Sequence, residues 1–88
     1  MLIGTTTIVN ETGLHARPAS QFVSCAKQYK SKILISHDGK DWINAKSIIM
    51  LLSGGFGQGD NVYISADGED ERQALDELIA LASSNFRE

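Results

Sequence analysis

Within the run Gly13-Leu14-His15-Ala16-Arg17-Pro18-Ala19-Ser20, an imidazole and a guanidinium stand two residues apart where a helix is about to begin. Pro18 is the only proline of the chain, and a residue with no N–H to lose suits the first turn of a helix. Behind it Ala19, Phe22, Val23 and Ala26 recur at helical spacing. His15 is therefore expected at a helix N-terminus, where unpaired backbone N–H groups and the positive end of the helix dipole favour an anion. Phosphate is the obvious one. A neutral ring nitrogen is also a nucleophile that can take up a phosphoryl group and give it back, and Arg17 can pair with the transferred oxygens.

The elements that must hold these residues follow from pattern. Residues 2–9 are β-branched and Thr-rich and read as a strand, with Asn10-Glu11-Thr12-Gly13 as the loop after it. A helix then runs from Ala16 or Arg17 to about Lys27 or Gln28. Ile33 to Ile35 form a second strand, His37-Asp38-Gly39-Lys40 a turn, and Trp42-Ile43-Asn44 a short third strand. Ser47 can cap a short apolar helix, Ile48 to Leu52, although Met50 denies it a capping box. The glycine-rich run from Ser53 to Gly59 is loop, and with no strand before it and no crossover helix after it, it is no dinucleotide fingerprint. Val62, Ile64 and Ala66 alternate in a fourth strand that ends at Gly68. Ala74, Leu75, Leu78, Ile79 and Ala82 mark the last helix, with Glu69, Asp70 and Glu71 favourably placed at its start. The order β-α-β-β-α-β-α points to an α+β two-layer domain with helices on one sheet face.

Composition narrows the classes. Eighty-eight residues make a single small domain over 1–88. No apolar run approaches the ~20 residues of a membrane span, and the start has no basic, apolar leader, so a cytoplasmic chain without membrane insertion is expected. Cys25 is the single cysteine, which rules out an internal disulfide and suits a reducing compartment. His37 reads as a solvated turn residue, since two histidines without cysteines make a poor zinc set. A net charge of −3 argues against general nucleic-acid binding. The first half, with Arg17, Lys27, Lys30, Lys32, Lys40 and Lys46, is the basic one, and acidic residues crowd the last third. A mildly basic face around His15 would suit an acidic partner.

The string Gly13 to Ala19 resembles the active-site signature of HPr, the histidine phosphocarrier of the bacterial phosphoenolpyruvate-dependent sugar phosphotransferase system. Asn44-Ala-Lys-Ser-Ile-Ile49, Gly57-Gln-Gly-Asp60, Asn61-Val-Tyr-Ile-Ser-Ala66 and Gly68-Glu-Asp-Glu71 follow in the order of the same family, so the resemblance covers essentially the whole chain. It implies an open-faced β-sandwich: a four-stranded antiparallel sheet of order 1-4-2-3 with three helices on one face and a solvated opposite face. It further implies that His15 accepts a phosphoryl group from enzyme I and passes it to IIA components of sugar permeases, without metal or cofactor. The chain is then a carrier rather than a stand-alone enzyme, and a monomer that shows its site to successive partners. By the same resemblance Arg17 pairs with the phosphate, and Thr12 and the amides of Ala16 and Arg17 frame it.

So short a helix cannot bury Ile48, Ile49 and Leu52 together with Phe56, so an apolar patch is expected near His15, and Phe56 is counted with the three helix residues in that docking set. The HPr pattern places Ile48, Ile49 and Leu52, with Ala16 and Ser20, in the docking face, while Met50 and Leu51 read as core. Ser47 corresponds to the serine that an HPr kinase phosphorylates in many relatives; the alternative function is a regulatory module that binds a transcriptional or metabolic regulator and is switched at Ser47. The chain departs from the family pattern in a hairpin one residue longer before Ser47, in Trp42, and in Ser53-Gly54-Gly55-Phe56. These departures lie beside the docking helix and bear on partner choice.

Overall fold

A computed structural model describes residues 1–84. The chain forms β1 (Leu2–Thr7), α1 (Ala16–Lys27), β2 (Lys32–Ser36), β3 (Ile43–Asn44), α2 (Ile48–Ser53), β4 (Asn61–Asp67) and α3 (Glu71–Ser83). The sheet order is β1-β4-β2-β3 with every neighbouring pair antiparallel. Both the element order and the strand order agree with the sequence reading.

Register explains the core. Gly4 and Ile35 flank Ile64 on β4, and Leu2 and Ile33 flank Ala66, so one face of the sheet gathers the apolar residues. Ile33, Ile35, Val62, Ile64 and Ala66 are fully buried there against Phe22, Ala26, Leu75 and Leu78 of α1 and α3. Gly4 leaves room for α3, since a methyl at its Cα would lie 2.6 Å from Ile79 Cδ1.

β1 stops two residues before the expected end because Ile8 leaves the strand ladder. Its amide donates to Asp60 O at 2.9 Å and its carbonyl accepts from Gly59 at 2.7 Å, tying it to the loop before β4. The opposite sheet face is only partly solvated. Ile3 and Thr5 are exposed, whereas Ser36 and Ser65 are buried. The turn after β2 folds back over Ser36, whose Oγ accepts from the amides of Asp38 and Gly39.

Asp70 stands at the α3 N-cap without a side-chain cap bond. Its carboxylate instead accepts from Ser31 Oγ and from the amides of Lys30 and Ser31. The acidic residue expected to serve the helix dipole therefore joins the α1–β2 turn to the start of α3. No helix among the described residues is long and apolar enough to cross a membrane.

Candidate functional site

His15 is the N-cap residue of α1, with extended backbone (φ −132°, ψ 161°) and a side chain that makes no cap hydrogen bond. Its ring is exposed and not engaged with the helix. Ala16, the first helical residue, has φ +51°. That is left-handed backbone, which costs a residue with a Cβ about 1–2 kcal/mol. The helix consequently starts loosely, with the first bond from the Ala19 amide to His15 O at 3.5 Å. Nothing in the residue type of Ala16 announces this turn.

Pro18, Ala19, Phe22, Val23 and Ala26 bury the inner stripe of α1, as their spacing requires. Arg17 and Ser20 lie on its exposed side. Arg17 makes no ion pair among the described residues, so its guanidinium is open to an anion at the same helix end.

Two contacts fix the backbone just before His15. Asn10 is fully buried, and its carboxamide nitrogen donates to Gly13 O at 2.6 Å and to Thr12 Oγ1 at 3.2 Å. Leu14 donates its amide to Phe56 O at 2.9 Å. Thr12 is exposed, with its own O–H still available. The sequence signal for Asn10 is faint but physical: an asparagine two residues before a threonine and three before a glycine has the form of a side-chain-stabilised turn.

The apolar surface sits on α2, which packs on α1 and β3. Ile48, Ile49 and Leu52 are exposed, Ile49 at 75% of its surface. Leu51 is buried as expected, but Met50 is 42% exposed and joins the surface side rather than the core. In a helix of six residues only Leu51 faces inward. Phe56 corrects the docking set: it is 1% exposed, so its ring is core and offers no contact to a partner. Gly54 makes this possible, because any side chain there would collide with the Phe56 ring and with Ile43.

Ser47 caps α2, its Oγ accepting from the Met50 amide at 3.3 Å. As expected, Met50 offers nothing in return. Beside Ser47, Lys46 Nζ donates to Tyr29 O at 2.6 Å, near the end of α1. His37 is not merely a solvated turn residue. Its ring stacks on Phe56, with centroids 4.1 Å apart and planes 11° from parallel, and its Nε2 lies 2.7 Å from Gly54 O.

Comparison with known proteins agrees with this architecture. Residues 4–84 match the family model PTS-HPr, described as the PTS HPr component phosphorylation site. The chain is 47% identical over 74 residues to the phosphocarrier protein HPr of Haemophilus influenzae, covering 84% of this chain and 86% of that protein. It is 46% identical over 70 residues to the HPr-like protein Crh of Halalkalibacterium halodurans, covering 80% and 82%. A crystal structure of an HPr from Thermoanaerobacter tengcongensis superposes with a TM-score of 0.95 at 44% identity, covering 100% of this chain and 98% of that one. An HPr dimer from the same organism gives 0.78, again at 44% identity, with 100% of each chain covered. With its sheet order, its exposed histidine at the head of α1 and these likenesses over nearly its full length, the chain belongs to the HPr family of phosphocarrier proteins.

Proposed function

We propose that His15 accepts a phosphoryl group from enzyme I, charged by phosphoenolpyruvate, and hands it to IIA components of sugar permeases. The observation that carries this reading is the exposed His15 ring at the α1 N-cap, unused by the helix it begins. A lone pair on the neutral ring attacks phosphorus in line, at Nδ1 by the family resemblance. The N–P bond to His15 forms as the bond to the donor's histidine breaks, and the reverse sequence delivers the group to the next acceptor. The Ala16 and Arg17 amides, the Thr12 hydroxyl and the Arg17 guanidinium are the groups available to the phosphoryl oxygens. Neither a metal nor a cofactor enters this scheme, and the chain acts as a carrier rather than a catalyst in the cytoplasm.

Incubation with phosphoenolpyruvate, magnesium and a bacterial enzyme I tests it by intact mass. The expected result is an acid-labile gain of about 80 Da that is absent from His15→Ala. No gain with enzymes I from several sources would overturn the reading.

A second reading rests on the 46% identity to an HPr-like protein Crh and on Ser47 as the α2 cap beside the exposed isoleucines. In it the chain binds a transcriptional or metabolic regulator through Ile48, Ile49 and Leu52, and an HPr kinase switches it at Ser47. A phosphate there would suit the helix start yet add about −2 charge to the apolar surface. This reading expects binding that survives His15→Ala and changes with Ser47→Asp. A carrier that must expose one site to successive partners is best served by a monomer. Because a related HPr crystallises as a dimer, sedimentation at working concentration is the direct check, with single-chain mass expected.

A further inference from the structure

His37, Gly54 and Phe56 depend on one another. Gly54 has no side chain, and the Phe56 ring fills the space a side chain would need. His37 then lies face to face on that ring, 4.1 Å between centroids, and its Nε2 lies 2.7 Å from Gly54 O. A carbonyl only accepts, so Nε2 carries the proton. On the other edge of the ring, His37 Nδ1 lies 3.9 Å from Asp60 Oδ2, the atom that accepts the Gly57 amide at 2.8 Å. One imidazole thus touches three points of the segment between α2 and β4.

That segment supports the active-site loop. Phe56 O accepts the Leu14 amide at 2.9 Å, and Gly13 lies so close that a methyl group on it would be 2.6 Å from Gly57 Cα. From His37 to His15 the path is short and physical: imidazole on phenyl ring, the backbone of that same phenylalanine on Leu14, and Leu14 bonded to His15. Asn10 independently holds Gly13 O, so His37 supplies part of the constraint and not all of it.

We propose that His37 is a positioning residue for phosphoryl transfer at His15: by clamping Gly54 and Phe56 it fixes, through the Phe56 carbonyl, the backbone of the residue preceding the acceptor. The inference rests on the phosphocarrier reading for its kinetic arm. In-line transfer needs the ring held in a narrow range of directions, and this clamp limits one end of that range without touching the phosphoryl group.

The test compares His37→Ala and His37→Phe with the wild-type chain by amide hydrogen exchange and by the kinetics of phosphorylation by enzyme I. His37 is exposed, so both variants fold. In His37→Ala the Leu14 amide is expected to exchange about tenfold faster, the loss of one stack and one hydrogen bond, while amides of the central strand β4 keep their rates. The phosphorylation kcat falls about threefold with KM unchanged. His37→Phe keeps the stack without the bond to Gly54 and recovers most of the Leu14 protection. Unchanged Leu14 exchange in His37→Ala overturns the proposal, as does an equal rise at β4, which would mean general destabilisation. A change in KM alone also overturns it, because His37 would then be a docking residue. A wild-type chain that enzyme I does not phosphorylate sinks the carrier reading instead, and the exchange data still decide whether the clamp exists.

Discussion

Gly13 and Phe56 approach so closely that a methyl group on the Gly13 Cα would lie 2.5 Å from the Phe56 carbonyl oxygen, and Gly13 itself has φ +64°. Both facts demand glycine. Gly13→Ala therefore forces the loop before His15 away from the segment after α2, and strained left-handed backbone adds to the cost. Destabilisation of about 2–3 kcal/mol is expected in denaturant unfolding. On the proposed carrier reading, phosphorylation of His15 should slow in the folded fraction as well. Unaltered stability would mean that the two loops are not in contact in solution.

Ala16 calls for a paired comparison, because its φ of +51° is tolerable for alanine and worse for a β-branched side chain. Ala16→Val is expected to lose about 1–2 kcal/mol of stability. Ala16→Gly should stay within about 0.5 kcal/mol of wild type, since relief of the left-handed strain offsets the added freedom of the unfolded chain. Equal stability of all three proteins would show that the helix begins with ordinary backbone.

How far the molecule was legible depends on how each feature leaves its mark. The inner stripe of α1, Ala19-Phe22-Val23-Ala26, and the alternation of Val62, Ile64 and Ala66 are local patterns, and both are buried as read. Strand order came through family resemblance, because a pairing such as Leu2 with Ala66 joins residues far apart in sequence and leaves no local sign. Ile48 to Leu52 are all apolar, so α2 carries no periodicity to set its phase, and Met50 lies on the surface side rather than in the core. The burial of Phe56 leaves no local sign for a related reason: in a glycine-rich loop it depends on the absent side chain of Gly54 and on the ring of His37. The place of His15 and Arg17 at the head of α1 is legible because proline, glycine and the helical spacing after them fix where a helix starts.

Acid should weaken the fold through Asp70. Bonds from the Ser31 hydroxyl and the Lys30 amide hold its carboxyl down from the ordinary 3.8 to about 2. With the folded value below the unfolded one, this stabilisation is complete above about pH 4 and is lost as pH falls toward 2. Asp70→Asn should melt below wild type at neutral pH, and the gap should close between pH 4 and pH 2. Asp38, held near 2 chiefly by the amides of Asp41 and Lys40, contributes in the same direction to both proteins and cancels in the comparison. A gap independent of pH would show that the Asp70 carboxylate is not bonded in solution.

The two sides of α2 give the last prediction, since residues two positions apart on it differ sharply in burial. Leu51 is fully buried, whereas Ile49 is 75% exposed. Leu51→Ala is expected to cost about 2–4 kcal/mol of stability, from lost transfer energy and the cavity left behind. Partner affinity should fall only as far as the folded population falls. Ile49→Glu should leave stability within about 0.5 kcal/mol and, on the proposed carrier reading, weaken binding to enzyme I by about tenfold or more, through loss of apolar contact and the new negative charge on the docking face. Calorimetric titration of both variants, with unfolding curves measured alongside, separates the effects. If Ile49→Glu binds enzyme I as the wild-type chain does, the exposed apolar side of α2 is not the docking surface, and the partner must reach His15 from the α1 side of the loop that holds it.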